Sequence, residues 1–145
     1  MPTDTRADRR PVVLLDTSAA IALVVEDHVD HAATLGAVRG RRLGLAGHAW
    51  FETYSVLTRL PPGLRRSPAE VARLLATNFP ASAFLGEADT MHLGGEVAVL
   101  GISGGAVYDA MVGAAARQHG RLLISRDRRA RPIYVALDIK VEVLG

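Results

Sequence analysis

Two runs of branched apolar residues, Pro11–Leu15 and Arg121–Ser125, constrain the fold most, because each is long enough for one strand and each gives way at once to polar residues. Val12-Val13-Leu14-Leu15 and Leu122-Leu123-Ile124 are uninterrupted rather than alternating. A strand of that kind is buried on both faces, the condition of a parallel sheet covered by helices. The segment after the first run, Ala19–Val25, is Ala-rich and reads as a helix, so the chain opens as a strand feeding a helix.

The rest continues that alternation. A helix is expected from about Asp30 to Val38, where Gly40 closes it, and a short strand over Leu43–Ala46. The spacing of Trp50, Tyr54, Leu57 and Leu60 predicts a helix over His48–Leu60, stopped by Pro61-Pro62-Gly63 because proline lacks the amide donor and clashes with the preceding turn. Ser67-Pro68-Ala69-Glu70 supplies a cap, a first-turn proline and an early acid, so Pro68–Asn78 is helical. Ala81–Leu85 is expected as a strand, Asp89–Val99 and Gly105–His119 as helices, and Lys140–Leu144 as the last strand. This is an α/β chain with a mostly parallel central sheet flanked by helices. Its organisation is a polar arm, residues 1–10, and one domain over residues 11–145.

Composition narrows what the domain can do. With 49% hydrophobic residues in 145, the chain can bury a single core. No cysteine is present, which removes disulfides, thiolate metal sites and cysteine nucleophiles, leaving oxygen or imidazole for any metal. The apolar run after the Arg-rich start is too short for a signal peptide, and no stretch is long enough to span a bilayer; a soluble, cytoplasmic protein is expected. The formal charge is +2. Arginines cluster at 39, 41 and 42 and at 126, 128, 129 and 131, a pattern that suits a polyanion or simply solvates loops.

Four acids stand out. In open α/β sheets ligands bind beyond the carboxyl ends of the strands, where Asp16 and Asp127 fall; a helix cap is the plainer use of either. Glu52 and Asp109 lie in apolar helices with no Lys or Arg three or four residues away; solvent exposure is the plainer reading of each. Taken together, the four suggest one site, with convergence on a common cleft the expectation. Carboxylates are hard donors, so Mg²⁺, with Mn²⁺ as a substitute, is the expected cofactor, activating water and neutralising the leaving oxygen of a phosphodiester. Ser18 and Ser125 are candidates to orient ligands or water, or are cap and turn hydroxyls. Arg126 and Arg128 are candidates to bind substrate phosphate, with pairing to Asp127 the simpler use. His28 and His31 lie three apart at a helix start and are expected to hold no metal; Trp50 and Phe51 are read as core rather than as base-stacking residues.

These motifs carry a resemblance. Val-Leu-Leu-Asp-Thr-Ser-Ala near the start, Glu52 in Ala-Trp-Phe-Glu-Thr, Asp109 in Tyr-Asp-Ala-Met-Val-Gly and Asp127 in Leu-Leu-Ile-Ser-Arg-Asp are similar, in order and separation, to the motifs of PIN domains, specifically of VapC-type toxins of toxin–antitoxin pairs. The resemblance runs from Val12 to the end of the chain. It implies a Mg²⁺- or Mn²⁺-dependent endoribonuclease with Asp16, Glu52, Asp109 and Asp127 at the family's acidic positions. It also implies a homodimer and a small antitoxin partner that blocks the active-site groove. Arg128-Arg129 stands where many relatives carry a further acid, which bears on a second metal.

Other classes fit less well. A haloacid-dehalogenase-like phosphatase needs a second Asp two residues after the first, where this chain has Ser18. A nucleotide-binding module needs a Gly-rich phosphate loop after the first strand, and none is present. A PIN-like module that binds RNA or a partner without cutting, and a DNA nuclease, remain as alternatives.

Overall fold

A computed structural model of the chain describes residues 9–145. Of the expected polar arm, residues 1–8 lie outside the described residues. The elements, in order, are β1 (Val12–Leu15), α1 (Thr17–Val24), α2 (His31–Val38), β2 (Arg42–Leu45), α3 (Ala49–Thr58), α4 (Pro68–Asn78), α5 (Glu87–Val99), α6 (Ala106–Gln118), β3 (Leu122–Ser125), α7 (Arg131–Ala136) and β4 (Val141–Val143). The strands form one sheet in the order β2-β1-β3-β4, every pair parallel. No helix of the described residues is long and apolar enough to cross a membrane.

The uninterrupted apolar strands are buried as their composition requires. Along β1, Val13 and Leu15 face one core with Ala19, Leu45, Leu57, Leu75 and Ile124, while Leu14 faces the other with Ala110, Leu123, Tyr134 and Ile139. Helices cover both faces: α1, α3 and α4 pack over the first core, α6 and α7 over the second. Among their bounds, α4 matches the expected range, closed at its start by Ser67, whose hydroxyl accepts from the Glu70 amide at 3.2 Å while donating to the Glu70 carboxylate at 3.1 Å.

Two expectations are corrected. Ala81–Leu85 is not a strand of the sheet: it contributes a single parallel bridge, Ala83 to Ala46, beside β2. A turn from Phe79 leads into it, and at Leu45 the amide is taken by the Ser82 hydroxyl at 2.9 Å in place of a ladder carbonyl. The segment lies hard against β2 because residue 44 is glycine; a methyl there would stand 2.3 Å from the carbonyl carbon and oxygen of Ala81. The second correction is α7, which the Arg-rich stretch after Asp127 concealed. It has only six residues, too few to display a periodicity, and opens with Pro132 in its first turn.

Candidate functional site

All four acids sit at the carboxyl edge of the sheet, three of them at helix N-termini. Asp16 is the N-cap of α1, its carboxylate accepting from the Ala19 amide at 3.1 Å. Glu52 and Asp109 lie inside the helices expected for them, in the first turns of α3 and α6, and Asp127 lies between β3 and α7. The partial positive charge of helix N-termini favours negative side chains there, which explains how acids tolerate these otherwise apolar helices. Gly47, held at φ +51° after β2, makes the turn that brings in α3.

Asp16 is the anchored member. It is buried, with Oδ1 accepting from Ser18 Oγ at 2.6 Å and Oδ2 accepting from the Tyr134 hydroxyl at 3.1 Å. Burial pushes its carboxyl above the usual range, against the hydrogen bonds that favour the ionised form. Ser18 Oγ also accepts from the Arg126 amide at 2.9 Å, tying α1 to the end of β3, and buried Ser125 accepts from the Asp127 amide at 3.0 Å. Thr17 donates to Glu52 Oε2 at 3.1 Å, and His48 Nε2 lies 3.5 Å from Glu52 Oε1.

Asp109 feels the other three. Its carboxyl is pushed up to about 6, first by burial and then by the charges of Asp127, Glu52 and Asp16, with Arg129 pulling it back. Above about pH 6 the fold therefore holds a carboxylate that its surroundings disfavour. The stability it costs is absent below the unfolded value near 3.8, grows as pH rises between the two, and is fully present above about 6. Because Asp109 is only partly buried, solvent screening reduces the effect to about 1 kcal/mol. In metal-free buffer, Asp109→Asn should raise the stability measured by urea unfolding by that amount at pH 7.5 and leave it unchanged near pH 3.5.

Tyr134, on the helix that sequence reading missed, is buried, and its phenol is pushed up by burial and by the charge of Asp16, so it stays a donor. Tyr134→Phe should cost about 1 kcal/mol in thermal unfolding, since a buried acceptor loses one of its donors. Misorienting Asp16 should also weaken Mn²⁺ binding in calorimetry by ~10-fold. Unchanged stability and affinity would remove Tyr134 from the site.

The arginines are sorted differently from expectation. Arg126 is mostly buried and turned to α2, with its guanidinium 3.0 Å from the Asp30 carboxylate and 3.3 Å from Thr34 Oγ1, so it is a tie between β3 and α2. Arg128 donates to the Gly145 carbonyl. It is Arg129 that stands at the acids, its amide and Nε on Asp127 Oδ1 at 2.9 and 3.3 Å. His28 and His31 are engaged locally, with the Asp30 amide and the Ala22 carbonyl at 3.1 Å each. Trp50 is partly buried and stacks on Tyr54, whereas Phe51, read as core, is exposed and tilts towards exposed Phe84 at 6.5 Å.

Among the described residues, no three His, Asp or Glu side chains are already drawn into a cage for a metal ion. The donor set nonetheless suits a hard divalent cation: it is entirely carboxylate, and the charges of the other three add to burial in raising Asp109. Asp16, Asp109, Glu52 and Asp127 are the residues that would hold it.

A PIN-domain family model matches residues 13–135, a span that contains all four acids. The chain belongs to the PIN-domain family. This PIN domain is 46% identical over 134 residues to Ribonuclease VapC27 of Mycobacterium tuberculosis, covering 92% of the chain and 98% of the relative. To Ribonuclease VapC40 of the same species it is 39% identical over 131 residues, covering 89% and 96%. Its fold resembles that of VapBC2 from Rickettsia felis bound to a promoter DNA fragment, with a TM-score of 0.66 at 11% identity over 92% of the chain and 99% of that one. FitAcB from Neisseria gonorrhoeae matches with a TM-score of 0.62 at 18% identity, covering 89% and 95%.

Proposed function

We propose that this PIN domain is a metal-dependent endoribonuclease, the toxin of a toxin–antitoxin pair, that hydrolyses RNA phosphodiester bonds at the Asp16–Glu52–Asp109–Asp127 site. The observation that carries the reading is the gathering of those carboxylates at one sheet edge, close enough that Asp109, raised first by its burial, is raised further by the charges of the other three. Such a set repels a polyanion on its own and accepts one once a divalent cation is bound. The similarity to ribonucleases VapC27 and VapC40, across nearly their full lengths, supports RNA as the substrate class.

Mg²⁺, with Mn²⁺ able to replace it, would supply Lewis-acid polarisation of the phosphodiester when held by Asp16, Glu52, Asp109 and Asp127. Asp16 is held in place by Ser18, Tyr134 and the Ala19 amide, so its contribution requires little rearrangement. Glu52 is oriented by Thr17 and His48.

The chain acts in the cytoplasm as a homodimer and is restrained by a small antitoxin. Exposed Phe51, Phe84, Met91 and Tyr108 on and beside α3, α5 and α6 give an apolar surface of the kind that interfaces cover. The likeness of the fold to VapBC2 and FitAcB supports a protein partner. Partner-free protein incubated with structured RNAs and matched DNAs, in Mg²⁺, Mn²⁺ or EDTA, tests the reading. Metal-dependent cutting of RNA but not DNA is expected. Tight metal-free RNA binding without cleavage would favour a non-catalytic module, and DNA cutting would reassign the substrate.

A further inference from the structure

We propose that Arg129 is the phosphate-binding residue of the site, the one of the three arginines within two residues of Asp127 that is left free to clamp the substrate backbone beside the acids. The inference rests on the ribonuclease reading for its substrate. Three arginines surround Asp127 in sequence, and their surroundings separate them. Arg126 is spent on Asp30 and Thr34, with its side chain only 13% exposed, and Arg128 on the Gly145 carbonyl. Arg129 is 93% exposed and touches Asp127 through Nε alone, so its two terminal nitrogens have no partner among the described residues.

That arrangement fits recognition of a phosphodiester. A guanidinium presents parallel donors to two phosphate oxygens, and its terminal pair is the free one here. Asp127 is not orphaned when the side chain swings to substrate, because the Arg129 amide keeps its own hydrogen bond to Oδ1 at 2.9 Å. The charge already reaches the reacting region, since Arg129 is the cation that lowers Asp109 against the three acids raising it. In a site of four carboxylates, a mobile cation at the rim supplies positive charge to the phosphate that the acids alone would repel, without adding a second metal.

The test compares wild type with Arg129→Ala and Arg129→Lys, on a short single-stranded RNA that wild type cleaves. Binding of a fluorescent RNA analogue whose linkages resist hydrolysis is measured in parallel on wild type and Arg129→Ala, over a range of salt in Mg²⁺. Arg129→Ala should raise KM about 10-fold with kcat within about twofold, Arg129→Lys should recover part of that loss, and the slope of log affinity against log salt should fall by about 0.7, the counterion release of one contact to a single strand. Circular dichroism should be unchanged. Cleavage by wild type with KM and salt slope unaffected by Arg129→Ala would overturn the assignment and leave the ribonuclease reading standing. Binding with the reduced slope but no cleavage by wild type would keep Arg129 and remove the ribonuclease reading. No binding and no cleavage would remove both.

Discussion

Asp16→Asn is expected to lower metal-dependent RNA cleavage by roughly a thousandfold or more, the rate equivalent of several kcal/mol of lost transition-state stabilisation. The substitution isolates charge from shape. Asn keeps the acceptor that Ser18 and the Ala19 amide use at Oδ1, it remains a good N-cap for α1, and the Tyr134 hydroxyl can turn to accept from the new amide. The buried position also ceases to hold a carboxylate that its burial disfavours. Thermal unfolding should therefore change by less than about 1 kcal/mol, while initial cleavage rates collapse. A variant that cuts RNA at the wild-type rate would show that Asp16 serves only as a cap.

Gly44→Ala is expected to destabilise the fold by about 3 kcal/mol, the upper range for forcing a group into a packed interior. The obstruction is backbone: the new methyl would meet the Ala81 carbonyl and the Ser82 amide at 2.3 to 2.5 Å, where no rotamer can yield. Relief requires the 81–83 segment to leave β2, giving up its hydrogen bonds to Leu43 and Leu45. Urea unfolding of this variant beside Gly40→Ala measures the contact. Gly40 has open space around it and φ +79°, so its substitution carries only the conformational strain of a left-handed residue, about 1 kcal/mol. Equal losses would mean that Ala81 is not held against β2.

The sheet was legible because its strands are buried on both faces, and composition alone records that. Asp16 and Asp127 were legible for a related reason: an acid directly after such a strand stands at the edge where open sheets bind ligands. Glu52 and Asp109 were singled out by the lack of a local cation, and the helices that carry them begin within one residue of the expected His48 and Gly105. Tyr134 lay hidden in a six-residue helix whose arginines and proline read as loop. The roles of the three arginines could not be read locally, because Arg126 finds its partner on α2, Arg128 at Gly145, and only Arg129 at its neighbour Asp127. Ala81–Leu85 misled because its small and branched residues suit an extended edge, while the Ser82 side chain takes a bond that a strand would make with backbone.

Titrating Mg²⁺ into partner-free wild type and Asp109→Asn, while following both cleavage of a susceptible RNA and binding of Mn²⁺ by calorimetry, tests the four-acid site most directly. The account predicts saturable, EDTA-reversible cleavage by wild type, and loss of both cleavage and most Mn²⁺ affinity in the variant. Cleavage that persists in EDTA, or a variant that binds Mn²⁺ and cuts as wild type does, would contradict it.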